Sequence, residues 1–332
     1  MQTRRQFLRS ASATAAIAAA ASLRTPSIAK AQGASLEAAI DGLPQLHSLQ
    51  VRRGAEILFA AAPRGPGLTR PANIKSCSKS IVALLLGAAM DRGEVASVES
   101  TLGDVAPRLL PADAAPEVRG ITLGDLASLR AGLERTSGPN YGAWIASRNW
   151  IADALGRPMV AEPGGRMLYS TGSTHVLGAA LTEITGLSLL EQARRRLGAP
   201  MGLEIPPWTR DPQGYYLGGN EMALKPVDML KIAVLMRDDG RFEGRQVIGA
   251  DWIAASRQPL TRSPWSGLSY GYGWFLSPSG YVLGRGYGGQ IIAAHPGRDL
   301  AVAITSDPTL PARSEGYFGA LMGLLDGPIL SI

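Results

Sequence analysis

From Ile81 to Met90 every residue is apolar or small, and the run stops at Asp91-Arg92-Gly93. A stretch with no polar face predicts a helix lying inside the protein, and Gly93 suits a left-handed cap at its end. Whatever stands on the first turn of that helix therefore has a rigid, buried support. Upstream, Leu49-Gln50-Val51-Arg52 and Ile57-Leu58-Phe59-Ala60 flank Arg53-Gly54 and predict a β-hairpin. Downstream of residue 265 the pattern becomes strand-like, in runs from Tyr270 to Leu276, Tyr281 to Leu283, Gln290 to Ala294 and Leu300 to Ile304. Short runs joined by tight turns predict an antiparallel meander, and Phe318 to Leu325 predicts a helix packed on it. Between these parts the chain is loop- and helix-rich. Ile121-Thr122-Leu123-Gly124-Asp125-Leu126 opens one helix, Thr174 to Glu183 forms another before Gly186, and Pro226 takes the first position of a third. The layout is α+β: an antiparallel sheet flanked by helices, its α/β part drawn from 32–105 and 226–332. A mainly helical subdomain over 106–225 is inserted, with the active site between the two.

Composition changes this picture at the beginning of the chain. Arg4-Arg5-Gln6-Phe7-Leu8 precedes an alanine-rich stretch to Ser22 and then Ala29-Lys30-Ala31, the order of a twin-arginine (Tat) export signal over 1–31. Its apolar part is short and alanine-dominated, so a permanent membrane anchor is not expected. The Tat export machinery is then the expected partner of the leader, and the periplasm or the medium the destination. The net charge of +6 suggests a polyanion partner at first sight, but five basic residues and no acid lie in 1–31. Beyond it 28 basic side chains face 27 acidic ones, so no nucleic-acid partner is expected. The single cysteine, Cys77, rules out an internal disulfide framework, and the core must supply the stability.

The chemistry concentrates where the apolar helix begins. Ser76-Cys77-Ser78-Lys79 places Ser76 and Lys79 three residues apart, on one face and within hydrogen-bonding reach. A serine hydroxyl is a poor nucleophile until a base takes its proton, and a lysine is that base only when its pKa falls. Desolvation and the positive end of the helix dipole both disfavour the ammonium. The four letters alone are weak, since Ser27-Ile28-Ala29-Lys30 matches them inside the leader, and an isolated match is more often a capping serine beside a solvated lysine. Two further segments select Ser76. Tyr169 in Met167-Leu168-Tyr169-Ser170-Thr171-Gly172 offers a phenol to shuttle a proton. Gly284-Arg285-Gly286-Tyr287-Gly288-Gly289-Gln290, between two predicted strands, lets backbone approach a substrate and offers an amide to an oxyanion.

In this order the three segments resemble the serine β-lactamase and penicillin-binding-protein superfamily over most of the mature chain. The likeness is strongest to its class C-like branch, with carboxylesterases and 6-aminohexanoate-dimer hydrolases. Leu129 to Gly138, Asp211-Pro212-Gln213-Gly214 and Gly218-Gly219-Asn220 are similar to segments of that branch. The resemblance implies a β-lactamase-like fold, an acylated Ser76, proton transfers shared by Lys79 and Tyr169, and an oxyanion hole from the amides of Ser76 and Tyr287. Two departures matter. The superfamily's Tyr-x-Asn ends here in Thr171, and its Lys/His-Thr-Gly strand reads Gly284-Arg285-Gly286, without the cation that grips a β-lactam carboxylate. Ester or simple amide hydrolysis is therefore expected ahead of β-lactamase or D-Ala-D-Ala carboxypeptidase activity. Substrate contacts are expected from Tyr141, Trp144, Thr171, Arg285, Gly286 and Gly288, with Trp150 beside them, although Arg285 equally fits a side chain turned away along the strand. No cofactor is expected.

Rival readings have less support. Gly267-Leu268-Ser269-Tyr270-Gly271 matches a nucleophile elbow, but no Asp or Glu stands between Ser269 and His295, and no apolar strand leads into it. No metal site is expected, because His47, His175 and His295 are scattered and read as surface or satisfied core residues. A non-catalytic β-lactam-binding protein of the same fold is the rival from another class; losing Lys79 or Tyr169 would favour it, and both are present.

Overall fold

Eight strands hydrogen-bond into one antiparallel sheet: β1 (Leu46–Arg53), β2 (Glu56–Ala61), β3 (Thr261–Arg262), β4 (Ser269–Tyr270), β5 (Phe275–Leu276), β6 (Val282–Gly286), β7 (Gln290–His295) and β8 (Leu300–Ser306). Their spatial order is β2-β1-β8-β7-β6-β5-β4-β3, so the two ends of the chain meet where β1 pairs with β8. This computed structural model describes residues 35–332, and the leader expected over 1–31 lies outside the described residues. The expected α+β, β-lactamase-like architecture is observed, an antiparallel sheet with flanking helices.

Alternation along β6 to β8 explains why these strands read as nearly unbroken apolar runs. Val282, Ile292, Ala294, Ala301 and Ala303 face one helical layer, whereas Leu283, Ile291, Ala293, Leu300, Val302 and Ile304 face the other. Both faces are covered, so the middle of each strand is apolar and the polar side chains Arg285, Gln290, His295, Thr305 and Ser306 stand at or near the strand ends. On the first face lie α1 (Ser78–Asp91), α2 (Thr171–Thr185) and α3 (Pro226–Arg237) with several shorter helices; on the second lie α4 (Tyr317–Leu324) and the helix over 35–41. The first face carries alanines where helix α3 crosses β7 and β8, which lets the helix come close.

Helix α1 is the buried rod that the pattern predicts. Ser78 through Ala89 are all buried, and each of Leu84, Leu85 and Leu86 removes a full side chain from water, worth about 2 kcal/mol apiece. The rod ends as expected at Gly93, whose φ is +69° and whose amide donates to the Met90 carbonyl. One strand expectation is corrected. Tyr270 to Leu276 is not a single strand but two short ones, β4 and β5, joined by a tight turn closed by the Gly271 amide on the Trp274 carbonyl. Gly273 supplies the positive φ of +81° that this turn demands. Ser269 thus belongs to a hairpin strand with no helix after it, and the elbow reading is excluded on geometry.

Candidate active site

Ser76 lies in a 3-10 turn, Lys75–Cys77, that runs straight into α1, and Lys79 occupies the first turn of α1 itself. Lys79 Nζ is 3.1 Å from Ser76 Oγ, 3.2 Å from Thr171 Oγ1 and 2.7 Å from the Gly219 carbonyl. The Lys79 side chain is 2% exposed, and no carboxylate stands among the causes that act on it; burial depresses its pKa to about 7. At that value about half of the amine is neutral at pH 7, and the neutral form carries two N–H donors and one lone pair. The Gly219 carbonyl can only accept, and Thr171 Oγ1 takes the second N–H. The lone pair is then left for the Ser76 hydroxyl, the arrangement a base requires.

Tyr169 completes the group. Burial raises its phenol above the usual tyrosine range, and a hydrogen bond with the Ser76 side chain partly offsets the rise. The Lys79 ammonium nitrogen position is 4.9 Å from the centre of the Tyr169 ring, and that ring stacks on Phe275 of β5. Thr171 opens α2 and is itself held, its amide donating to Ser137 Oγ at 2.8 Å. The loop from Leu129 to Gly138 therefore acts through Ser137 and Thr171 on the base.

The strand end beside the nucleophile is built from glycine for contact. A Cβ added at Gly286 would come 2.3 Å from the Ile74 carbonyl and 3.1 Å from Lys75 Cβ, so β6 abuts the turn that carries Ser76. Tyr287 follows at the turn after β6 and is exposed. Gly288 does not face the site as expected: a Cβ there would meet the Asp307 carbonyl at 2.3 Å, so its smallness serves packing against the segment after β8.

Two other expected substrate contacts are corrected. Trp144 is fully buried in a cluster with Trp150, Leu217 and His175, and its Nε1 donates to the Trp150 carbonyl. An indole with no exposed surface touches no substrate. Trp144→Phe is expected to lower stability by about 1–2 kcal/mol through the lost hydrogen bond and smaller ring, with KM unchanged; denaturant melts beside steady-state kinetics check both. Arg285 projects from the α4 face of the sheet, opposite α1. Its guanidinium donates to the Ala312 carbonyl and Ser314 Oγ and lies over the Phe318 ring, and burial lowers its pKa to about 10. The guanidinium is held there by these partners, and its charge also acts on the Tyr169 phenol. Tyr141 is half-buried and does reach the site region, its hydroxyl accepting from Asn220, the residue after Gly219.

The sequence reading missed the Gly219 carbonyl as a partner of Lys79, because a backbone acceptor has no side-chain signature. The residue before it, Gly218, is tied to a buried pair. His175 Nε2 lies 3.0 Å from Asp211 Oδ2 with both side chains fully buried, and His175 Nδ1 accepts from the Gly218 amide at 3.4 Å. That bond fixes the tautomer, with Nε2–H donating to Asp211. The histidine reads as a satisfied core residue, and it is one. His295 departs from that reading: its Nε2 meets the Ser279 carbonyl at 2.7 Å, but its buried Nδ1 has no hydrogen-bond partner. Cys77, directly beside the nucleophile, is fully buried with Sγ 3.5 Å from the Gln290 carbonyl, and burial pushes its thiol up to about 12. Among the described residues no cluster of three His, Cys, Asp or Glu side chains is placed to hold a metal ion.

Comparison with known proteins gives the same fold. A family model described as Beta-lactamase matches residues 49–317. No curated protein matches the chain. Among solved structures, a candidate 6-aminohexanoate-dimer hydrolase from Bacillus anthracis is similar at 17% identity, with 87% of this chain and 80% of that one covered and a TM-score of 0.72. EstCE1, a hydrolase with promiscuous acyltransferase activity, has 17% identity, coverage of 90% and 98%, and a TM-score of 0.72. A penicillin-binding protein homologue from Caulobacter crescentus has 16% identity, coverage of 89% and 98%, and a TM-score of 0.69. At these identities the likeness is one of fold.

Proposed function

The chain belongs to the Beta-lactamase family, and from that premise we propose that it is a serine hydrolase working through a covalent acyl-enzyme on small esters or amides. The observation that carries the proposal is the buried Lys79 amine 3.1 Å from the half-buried Ser76 hydroxyl. In this reading Ser76 Oγ attacks the carbonyl carbon while its proton passes to Lys79 Nζ. The negative charge that develops on the carbonyl oxygen is met by the amides of Ser76 and Tyr287. Tyr169, whose raised pKa keeps it a phenol, donates to the departing alkoxide or amine and recovers a proton through Lys79. Water then attacks the acyl-enzyme with the same groups in reversed roles and frees the acid.

Esters and uncharged amides are favoured over β-lactams because Gly284 stands where a strand cation is usual and the Arg285 guanidinium is tied to the Ala312 carbonyl and Ser314 Oγ. The leader over 1–31 supports export through the twin-arginine route to the periplasm or the medium. Intact-mass analysis after a fluorophosphonate tests the assignment with Ser76→Ala and Ser269→Ala beside the parent. One adduct on the parent and on Ser269→Ala, and none on Ser76→Ala, is the expected result; an adduct surviving in Ser76→Ala refutes it. Continuous release of nitrophenol from short acyl esters, as opposed to one burst equal to the protein concentration, separates an enzyme from an acylated binder.

A further inference from the structure

Two residues beside the site have backbone conformations that side chains rarely adopt. Lys75, immediately before Ser76, has a φ of +50°, and Glu221, two residues after Gly219, has a φ of +65°. Neither is glycine, and left-handed backbone at a non-glycine position persists only where its surroundings over-determine it. Here the two are tied to each other. Lys75 Nζ lies 2.9 Å from Glu221 Oε1, with side chains 20% and 29% exposed. Asn73 joins both: its Nδ2 donates to Glu221 Oε2 at 2.6 Å, and its Oδ1 accepts from the Lys75 amide at 2.9 Å. Every oxygen of the carboxylate is thus engaged in a three-residue ring.

That ring closes one end of a longer seam. The Ile74 amide donates to the Met222 carbonyl, the two-residue strands Ala72–Asn73 and Ala223–Leu224 pair, and Ser78 Oγ donates to the Lys75 carbonyl while accepting from the Met222 amide. One side of the seam carries Ser76, the other carries the Gly219 carbonyl, and Lys79 Nζ must meet both at once. At the end of the seam nearest those atoms the link is not a backbone ladder but the Lys75–Glu221 pair.

We propose that Lys75 and Glu221 are positioning residues for hydrolysis, an ion-paired clasp that keeps Ser76 and the Gly219 carbonyl in register around the Lys79 amine. The inference rests on the serine-hydrolase reading of the same site. An ordinary surface pair contributes little, but displacement of a reacting group by an ångström costs rate out of proportion to stability.

The test is steady-state hydrolysis of 4-nitrophenyl butyrate by the parent and by Lys75→Met, Glu221→Gln, the double variant, Lys75→Arg and Lys75→Gly, with melting temperatures recorded for each. Each single neutralisation is expected to lower kcat about tenfold or more with KM within about twofold, and the double variant to lose no more than either single. Lys75→Arg, which keeps the pair, retains activity within about threefold of the parent. Lys75→Gly relaxes the backbone yet removes the cation, and is expected to be as impaired as Lys75→Met. Neutralised variants with parental kcat overturn the clasp, as does a fully active Lys75→Gly or a double variant whose losses simply multiply. In those cases the parent still turns over and the assigned function stands. A parent without turnover, and without a fluorophosphonate adduct on Ser76, removes both.

Discussion

Lys79→Ala is expected to lower kcat about 10³-fold, a loss of about 4 kcal/mol of transition-state stabilisation, with the fold retained. The alanine leaves the Ser76 hydroxyl without a base and leaves the Gly219 carbonyl and Thr171 Oγ1 without the donor that joins them. The pH profile distinguishes this cause from simple disruption. Because burial lowers the Lys79 pKa to about 7 and the neutral amine is the active form, parental kcat/KM should climb tenfold per pH unit below about 7 and level off above it. The climb should be absent from Lys79→Ala. Stability carries the same signature with a defined sign. The folded-state pKa is lowered, so between about 7 and the ordinary lysine value the unfolded chain binds more protons, and this group makes the parent more stable as pH rises through that window. Initial rates and urea melts over pH 5 to 9 measure both, and a variant within tenfold of the parent contradicts the role assigned to Lys79.

Gly286→Ala is expected to cost about 10² in kcat/KM, together with about 1–3 kcal/mol of stability. The added methyl would lie 2.3 Å from the Ile74 carbonyl, and neither atom belongs to a flexible side chain that can swing aside. Relief must come from the end of β6 or from the turn carrying Ser76, and either shift separates the Tyr287 amide from the nucleophile. Gly323→Ala is the matched control. It lies inside α4 with nothing within 4 Å of a new Cβ, so it should be neutral or stabilising by up to about 1 kcal/mol. Thermal melts and ester hydrolysis on both variants decide the matter; equal behaviour would mean that β6 does not bear on the site.

Much of the frame was legible because burial writes itself into the pattern. The featureless apolar stretch of α1 and the central runs of β7 and β8 are covered on all sides, and burial keeps them almost wholly apolar. Ser76, Lys79 and Tyr169 were legible for a different reason: their chemistry needs particular side chains, and the structure brings the three together. Features decided by tertiary contact were not legible. Nothing local distinguishes Trp144, sealed against Trp150 and His175, from an aromatic lining a pocket. The side on which Arg285 emerges depends on the phase of β6, which a glycine-rich strand leaves open. Tyr270 to Leu276 reads as one run because Trp274 is apolar, although Gly273 turns the chain there. The Gly219 carbonyl is a backbone group and carries no letter of its own.

Placing the only thiol under the nucleophile gives the molecule a built-in clock. Cys77 is sealed against β7 and held in its unreactive protonated form, so a maleimide or iodoacetamide can reach it only when the turn before α1 lifts from the sheet. The alkylation rate therefore measures how often the catalytic corner comes apart, without a substrate and without an engineered label.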